Sequence, residues 1–120
     1  MSPINIVSVS NITARTSATS SLQSGSLSAI LTNPASSNHL YKINSVTLSN
    51  KLTINTSVDL ALTSASNDYY FAKSVVIPAS SSLILVGKEN SIYLEEGSVL
   101  KGKAFHTGSL DVIVGYEDLS

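Results

Sequence analysis

The chain has 120 residues, a formal net charge of −1 and 12% charged residues, about half the roughly 25% usual in soluble domains. Serine and threonine stand in for the missing charge and make up about a quarter of the chain. Such a composition supports one domain with one modest core and gives no basic stripe to neutralise a run of phosphates. The absence of cysteine excludes disulfides, thiolate metal sites and a cysteine nucleophile.

Residues 1–24, which include INIVSVSNITARTSATSSLQS, lack the basic start and unbroken apolar segment of a secretory signal. Beyond NIVSV the stretch is small and polar, too thin in apolar area to secure itself against a core. Two readings fit: an arm that gains order along a neighbouring subunit, or an outer strand followed by a loose serine-rich loop. Residues 25–120 form the expected domain. No apolar run approaches the length needed to span a bilayer, so a soluble, unprocessed chain is expected.

SLSAILT at 26–32 is the first strand expected in that domain, and the loop NPASSN at 33–38 follows it. In HLYKINSVTLS, residues 39–49, Tyr41 and Ile43 stand on one parity and Val46 and Leu48 on the other. A bulge or change of face is therefore expected near Asn44 and Ser45. LTINTSVDLALT, residues 52–63, alternates Leu52, Ile54, Val58, Leu60 and Leu62 with polar residues, as a half-buried strand does. Asn50 and Lys51 between the two runs read as a tight hairpin lacking the favoured glycine.

YYFAKSVVI (69–77), SLILV (82–86), SIYL (91–94), VLKGKAF (99–105) and LDVIVGYE (110–117) complete the set. Short strands at about ten-residue spacing, with turn residues between them and no capped helix, predict an all-β fold. The architecture expected is a single β-sandwich, jelly-roll or immunoglobulin-like, of about eight antiparallel strands with an extended N-terminal arm.

The residues that could carry chemistry are few. Glu95 and Glu96 precede Gly97, whose freedom at positive φ suits a turn, and adjacent carboxylates on extended chain point to opposite sides. A turn is expected. Calcium held by either glutamate with Asp68 or Asp111 lacks any ligand spacing. His39 and His106 lie at loops, with no sequence signal for a nucleophile and orienting acid. Tyr69, Tyr70 and Phe71 form the one aromatic cluster, expected to pack in a core or interface with Tyr70 turned away. The sequons Asn11-Ile12-Thr13 and Asn55-Thr56-Ser57 carry no weight without a secretory signal. No catalytic, metal or cofactor residue is expected, and no nucleic acid, membrane or small-molecule substrate.

The order NITARTS, AILTNPASSNHLYKINSVTLSN, VVIPASSSLILVGKENSIYLEEGSVLKGKA and GSLDVIVGYEDLS resembles small virion structural proteins of tailed bacteriophages, particularly of marine and cyanobacterial hosts. The resemblance spans nearly the whole chain and is most specific in IPASSSLILVGKENSIYLEEG (77–97) and LDVIVGYEDLS (110–120). It departs at Ser98, where aspartate is frequent, and at Gly115, where serine is common. The resemblance implies a non-enzymatic β-sandwich that assembles as a trimer or other ring on the virion. Its partners would be copies of itself and other virion proteins such as the major capsid protein. Capsid decoration is preferred over a neck, collar, tail or baseplate position. The alternative is a carbohydrate-binding module for host adhesion, and a hydrolase ranks last. Termini are free to cross between subunits, so the contact candidates are Ile4, Ile6, Val7, Val9, Ile12 and Arg15 in the arm and Tyr116 and Leu119 in the last strand. Tyr70 is added from the aromatic cluster.

Overall fold

The computed structural model describes residues 10–87 and 91–120. These form nine antiparallel strands and no helix: β1 (Ile12–Thr19), β2 (Ser28–Thr32), β3 (Leu40–Asn50), β4 (Thr56–Ser64), β5 (Asn67–Ile77), β6 (Ser82–Val86), β7 (Ile92–Leu94), β8 (Val99–Ala104) and β9 (Leu110–Leu119). One sheet runs β1-β9-β3 and then β6, with β7 also on β3; the other runs β2-β8-β4-β5. β6 pairs with Val46–Ser49 and β7 with Tyr41–Ile43, so the two are successive pieces of one edge. Eight strand positions result. The chain changes sheet at every connection except β4 to β5 and β6 to β7, and its last strand lies between β1 and β3. That connectivity is a jelly roll, which decides between the two sandwiches expected.

Alternation builds the core. Ile43, Val46 and Leu48 of β3, Val58 and Leu60 of β4, Leu100 of β8, and Leu110, Val112 and Val114 of β9 are essentially inaccessible to solvent. Each such side chain contributes about 1.5–3 kcal/mol. The parity change expected near Asn44 is present: the β3–β9 register shifts between Ile43 and Ser45, and Asn44 is the extra residue. The bulge lets Ile43 and Val46 both face inward.

Two buried asparagines fasten the crossovers. Asn33, immediately after β2, donates through Nδ2 to the carbonyls of His39 (2.8 Å) and Leu94 (2.9 Å), and its Oδ1 accepts from Ser37 (2.7 Å). Asn50 ends β3, donates to the carbonyls of Ile54 (2.9 Å) and Ile77 (3.0 Å), and accepts from the Leu52 amide (2.9 Å). Each amide thus ties a loop carbonyl to the last residue of a strand, Leu94 of β7 or Ile77 of β5.

Three expectations need correction. Residues 50–55 are not a hairpin leading into a strand, because β3 and β4 lie in different sheets and the strand starts at Thr56. Leu52 and Ile54 belong to the crossover, and Ile54 is 55% exposed; the alternation there came from chance apolar residues in an asparagine-pinned loop. Tyr69, Tyr70 and Phe71 are not core: all three are exposed on β5, an edge strand whose buried side chains are Ala72 and Ile77. Finally, the serine-rich stretch after β1 is exposed apart from Leu22 and the half-buried Leu27, but it is not loose. Leu22 is 1% exposed within the core, and the backbone beside it is tied by Gly108 N to Leu22 O (2.9 Å) and Ala104 N to Gln23 O (3.1 Å).

The turn at Glu95 is realised. Ser98 N donates to Glu95 O (3.0 Å), Gly97 sits at φ +78°, and Glu96 accepts from the Asn38 amide (3.1 Å). The glutamates separate as their positions require, one half-buried and one spent on a loop.

Candidate contact surfaces

Four of the candidate contact residues, Ile4, Ile6, Val7 and Val9, lie outside the described residues. Four others are brought together at one edge: Ile12 pairs with Leu119 and Arg15 with Tyr116 in the β1–β9 ladder. Ile12 is exposed, whereas Leu119 is 5% exposed and Tyr116 half-buried against the core. Tyr70 stands apart, in the other sheet.

A polar cluster closes the inner side of that edge. Asp118, itself buried, accepts from Arg15 Nε (3.2 Å) and contacts His39 Nδ1. One carboxylate thereby joins β1, β9 and the start of β3 through charge-assisted bonds. The rings of Tyr41 and Tyr116 lie beside it, 5.0 Å apart. Burial, then the charge of Asp118, then Tyr116 push the Tyr41 hydroxyl above its ordinary range, with Arg15 pulling the other way. Tyr41 is a neutral hydroxyl throughout the physiological range. Among the described residues no group of three or more histidine, aspartate or glutamate side chains is arranged to hold a metal ion.

The outer face of the β2-β8-β4-β5 sheet carries the other polar feature. Between Val58 and Leu60 the β4–β5 register slips, so that Lys73 and Ser74 both face Asp59. Ser74 takes a left-handed φ of 52°, and its amide donates to Asp59 Oδ1 (2.6 Å). Lys73 (3.3 Å) and Lys103 (3.6 Å) flank Oδ2. Burial raises the pKa of Asp59, but the Ser74 amide, Lys73 and Lys103 together outweigh it, and the carboxyl is held below its usual range. The carboxylate is the bracket that keeps the bulge. Its contribution is complete above the ordinary aspartate pKa of about 4 and disappears as pH falls from there through the depressed folded value. Asp59→Asn should therefore cost about 1–3 kcal/mol at pH 7, and urea titrations should show the gap to wild type closing below about pH 4.

Aromatic side chains surround this bracket. Lys73 Nζ lies 4.4 Å from the Tyr70 ring centroid, a cation–π contact. Phe105 is 67% exposed, packs edge-on against His106, and borders a depression of about 200 Å3 that Ser57, Asp59, Lys73 and Lys103 also line. His106 Nδ1 bonds Thr56 Oγ1 (3.0 Å). On the opposite sheet the outer surface has a row in ladder register, Ala18, Ile113, Thr47 and Ile84, with both isoleucines exposed.

Sequence reasoning missed Asp59, which read as one more outward polar residue in an alternating run. It also missed Phe105, an apolar residue at the end of a strand pattern that gave no cue that the strand stops at Ala104. Comparison of the chain with models of known protein families, with curated proteins and with solved structures finds no match.

Proposed function

We propose that the protein is a non-enzymatic structural component of a tailed-phage virion, most simply a capsid decoration protein that stabilises junctions between capsomers. The observation that carries this reading is the jelly-roll connectivity, an architecture used by viral shell domains as well as lectins. Fold alone decides no function; it acquires weight beside the resemblance in residues 77–97 and 110–120. The surfaces suit the role. Large apolar side chains are exposed on both sheets: Ile12, Ile84 and Ile113 on one, Val76 on the other and Phe105 just beyond β8 are all more than 45% exposed. An interface of ordinary size buries about 1,600 Å2 in total, and repetition about a symmetry axis turns modest contacts into avidity.

A second reading is favoured by one observation, the exposure of Tyr69, Tyr70 and Phe71. Aromatic rings beside lysines and hydroxyls on a jelly roll suit a saccharide platform for host adhesion.

Mass spectrometry of gradient-purified particles should find the chain at a fixed stoichiometry, and particles stripped of it should regain heat resistance when it is added back. Absence from purified particles removes the structural reading. Binding on a glycan array that Tyr70→Ala abolishes selects the adhesion module.

A further inference from the structure

A sheet edge carries a row of unpaired backbone donors and acceptors that another strand can extend, and proteins blunt such edges by brevity, bulges or charge. Among the described residues, three of the four edge positions of this sandwich are blunted. β2 has five residues and a register shift between Ala29 and Leu31. β5 is long but breaks register twice. The edge formed by β6 and β7 is split into two short pieces, and β6 shifts register against β3.

β1 is neither short nor bulged. Its eight residues, ITARTSAT, pair with β9 in unbroken register from Ile12 to Thr19. There is no proline, glycine or lysine in it. Its one charge, Arg15, is bonded back to Asp118 on the inner side. Ile12 to Ser17 are exposed except Ser17, which like Thr19 keeps partial contact with solvent. Threonine and alanine make up most of it, and threonine is well suited to cross-strand pairing.

We infer that β1 pairs antiparallel with β1 of a second copy of this chain, joining two four-position sheets into one continuous sheet about a two-fold axis. This gives the self-association proposed above a definite geometry and rests on that part of the reading. Symmetry restricts the register. A two-fold perpendicular to the sheet must set a residue opposite itself, since directly opposed side chains share a face and successive ones alternate. The two registers with the longest overlap centre on Arg15 and on Thr16. The first opposes two guanidinium groups, which destabilises a strand pair. The second sets Thr16 opposite Thr16, Arg15 opposite Ser17 and Ala14 opposite Ala18 of the second copy, with no like charges opposed. Thr16 lies on the outer face beside Gly115 and Ser45, so side-chain changes there leave the core untouched.

The test uses the full chain. Sedimentation across a concentration series should show a monomer–dimer equilibrium, and Thr16→Lys, which places two ammonium groups opposite each other, should weaken it at least tenfold while leaving thermal unfolding unchanged. Because the chain has no cysteine, Thr16→Cys supplies a single reporter. Directly opposed Cα atoms are about 4.5–5.5 Å apart, within the span a disulfide bridges. Mild oxidation should therefore link it into dimers much faster than Tyr69→Cys on β5 or Ser82→Cys on β6. A chain monomeric at every concentration, a dimer indifferent to Thr16→Lys, or equal cross-linking at the three positions overturns the proposal. Particle association, scored separately with the Thr16→Lys chain, distinguishes this failure from failure of the virion reading: a monomer that still joins particles loses only the β1 contact.

Discussion

Replacing Leu22 by alanine will destabilise the protein by about 2–5 kcal/mol, as much as truncating a leucine in the middle of a core strand. Leu22 belongs to no strand and sits among serines, yet it is 1% exposed. Its Cδ1 lies over Gly102, where an added Cβ would stand 3.1 Å away, with Ile30 Cδ1 at 2.9 Å and Leu60 Cδ2 at 3.0 Å. Gly102 is thus the hollow that receives three side chains from β2, β4 and the β1–β2 connection. Filling it with Gly102→Ala should cost about 1–3 kcal/mol by overpacking. The two changes are coupled, because one opens the space that the other occupies. The double variant should be more stable than the sum of the single losses, a difference a urea-denaturation cycle measures directly. Additive losses would mean that Leu22 and Gly102 do not share that space.

Asn33→Asp is the second large effect, about 3–5 kcal/mol at neutral pH. The substitution keeps the shape of the side chain and removes both donors. Two carbonyls, His39 O and Leu94 O, lose their partner at a cost of about 1–3 kcal/mol each, and a carboxylate is set against them where the residue is 0% exposed. A buried carboxylate responds by taking up a proton. Its folded pKa rises above the unfolded value, so the deficit of the variant narrows as pH falls through that raised value, while Asn33→Ala should show no such pH dependence. Thermal midpoints of the three proteins between pH 4 and 8 check this.

These two residues also show what a sequence can and cannot disclose. Strand existence was legible because it rests on local alternation: 82–86 is β6 to the residue, and the parity change at Asn44 marks a true bulge. The turn at Glu95 was legible because glycine at positive φ has a local signature. Leu22 was not, because its burial depends on a glycine eighty positions away. Asn50 hid in the same way. A tight turn and a sheet-to-sheet crossover use the same residue types, and only the acceptors at Ile54 and Ile77 tell them apart. Tyr69, Tyr70 and Phe71 carry high β-propensity wherever a strand lies in its sheet, so edge and centre look alike in sequence. Of the contact candidates, the pairing of Ile12 and Arg15 with the last strand follows from topology alone, which no periodicity encodes.

The position of β9 between β1 and β3 has a consequence for the order of biogenesis. β1 is made before the other eight strands, yet its ladder partner among the described residues is complete only once Leu119 has been made. Until then both β1 and β3 lack the neighbour that closes the sheet, and the loop to be closed spans nearly the whole chain, a slow event by contact-order arguments. A polypeptide interrupted before that point cannot seat β1 against β9, so assembly through that edge would select chains in which the β1–β9 ladder is complete.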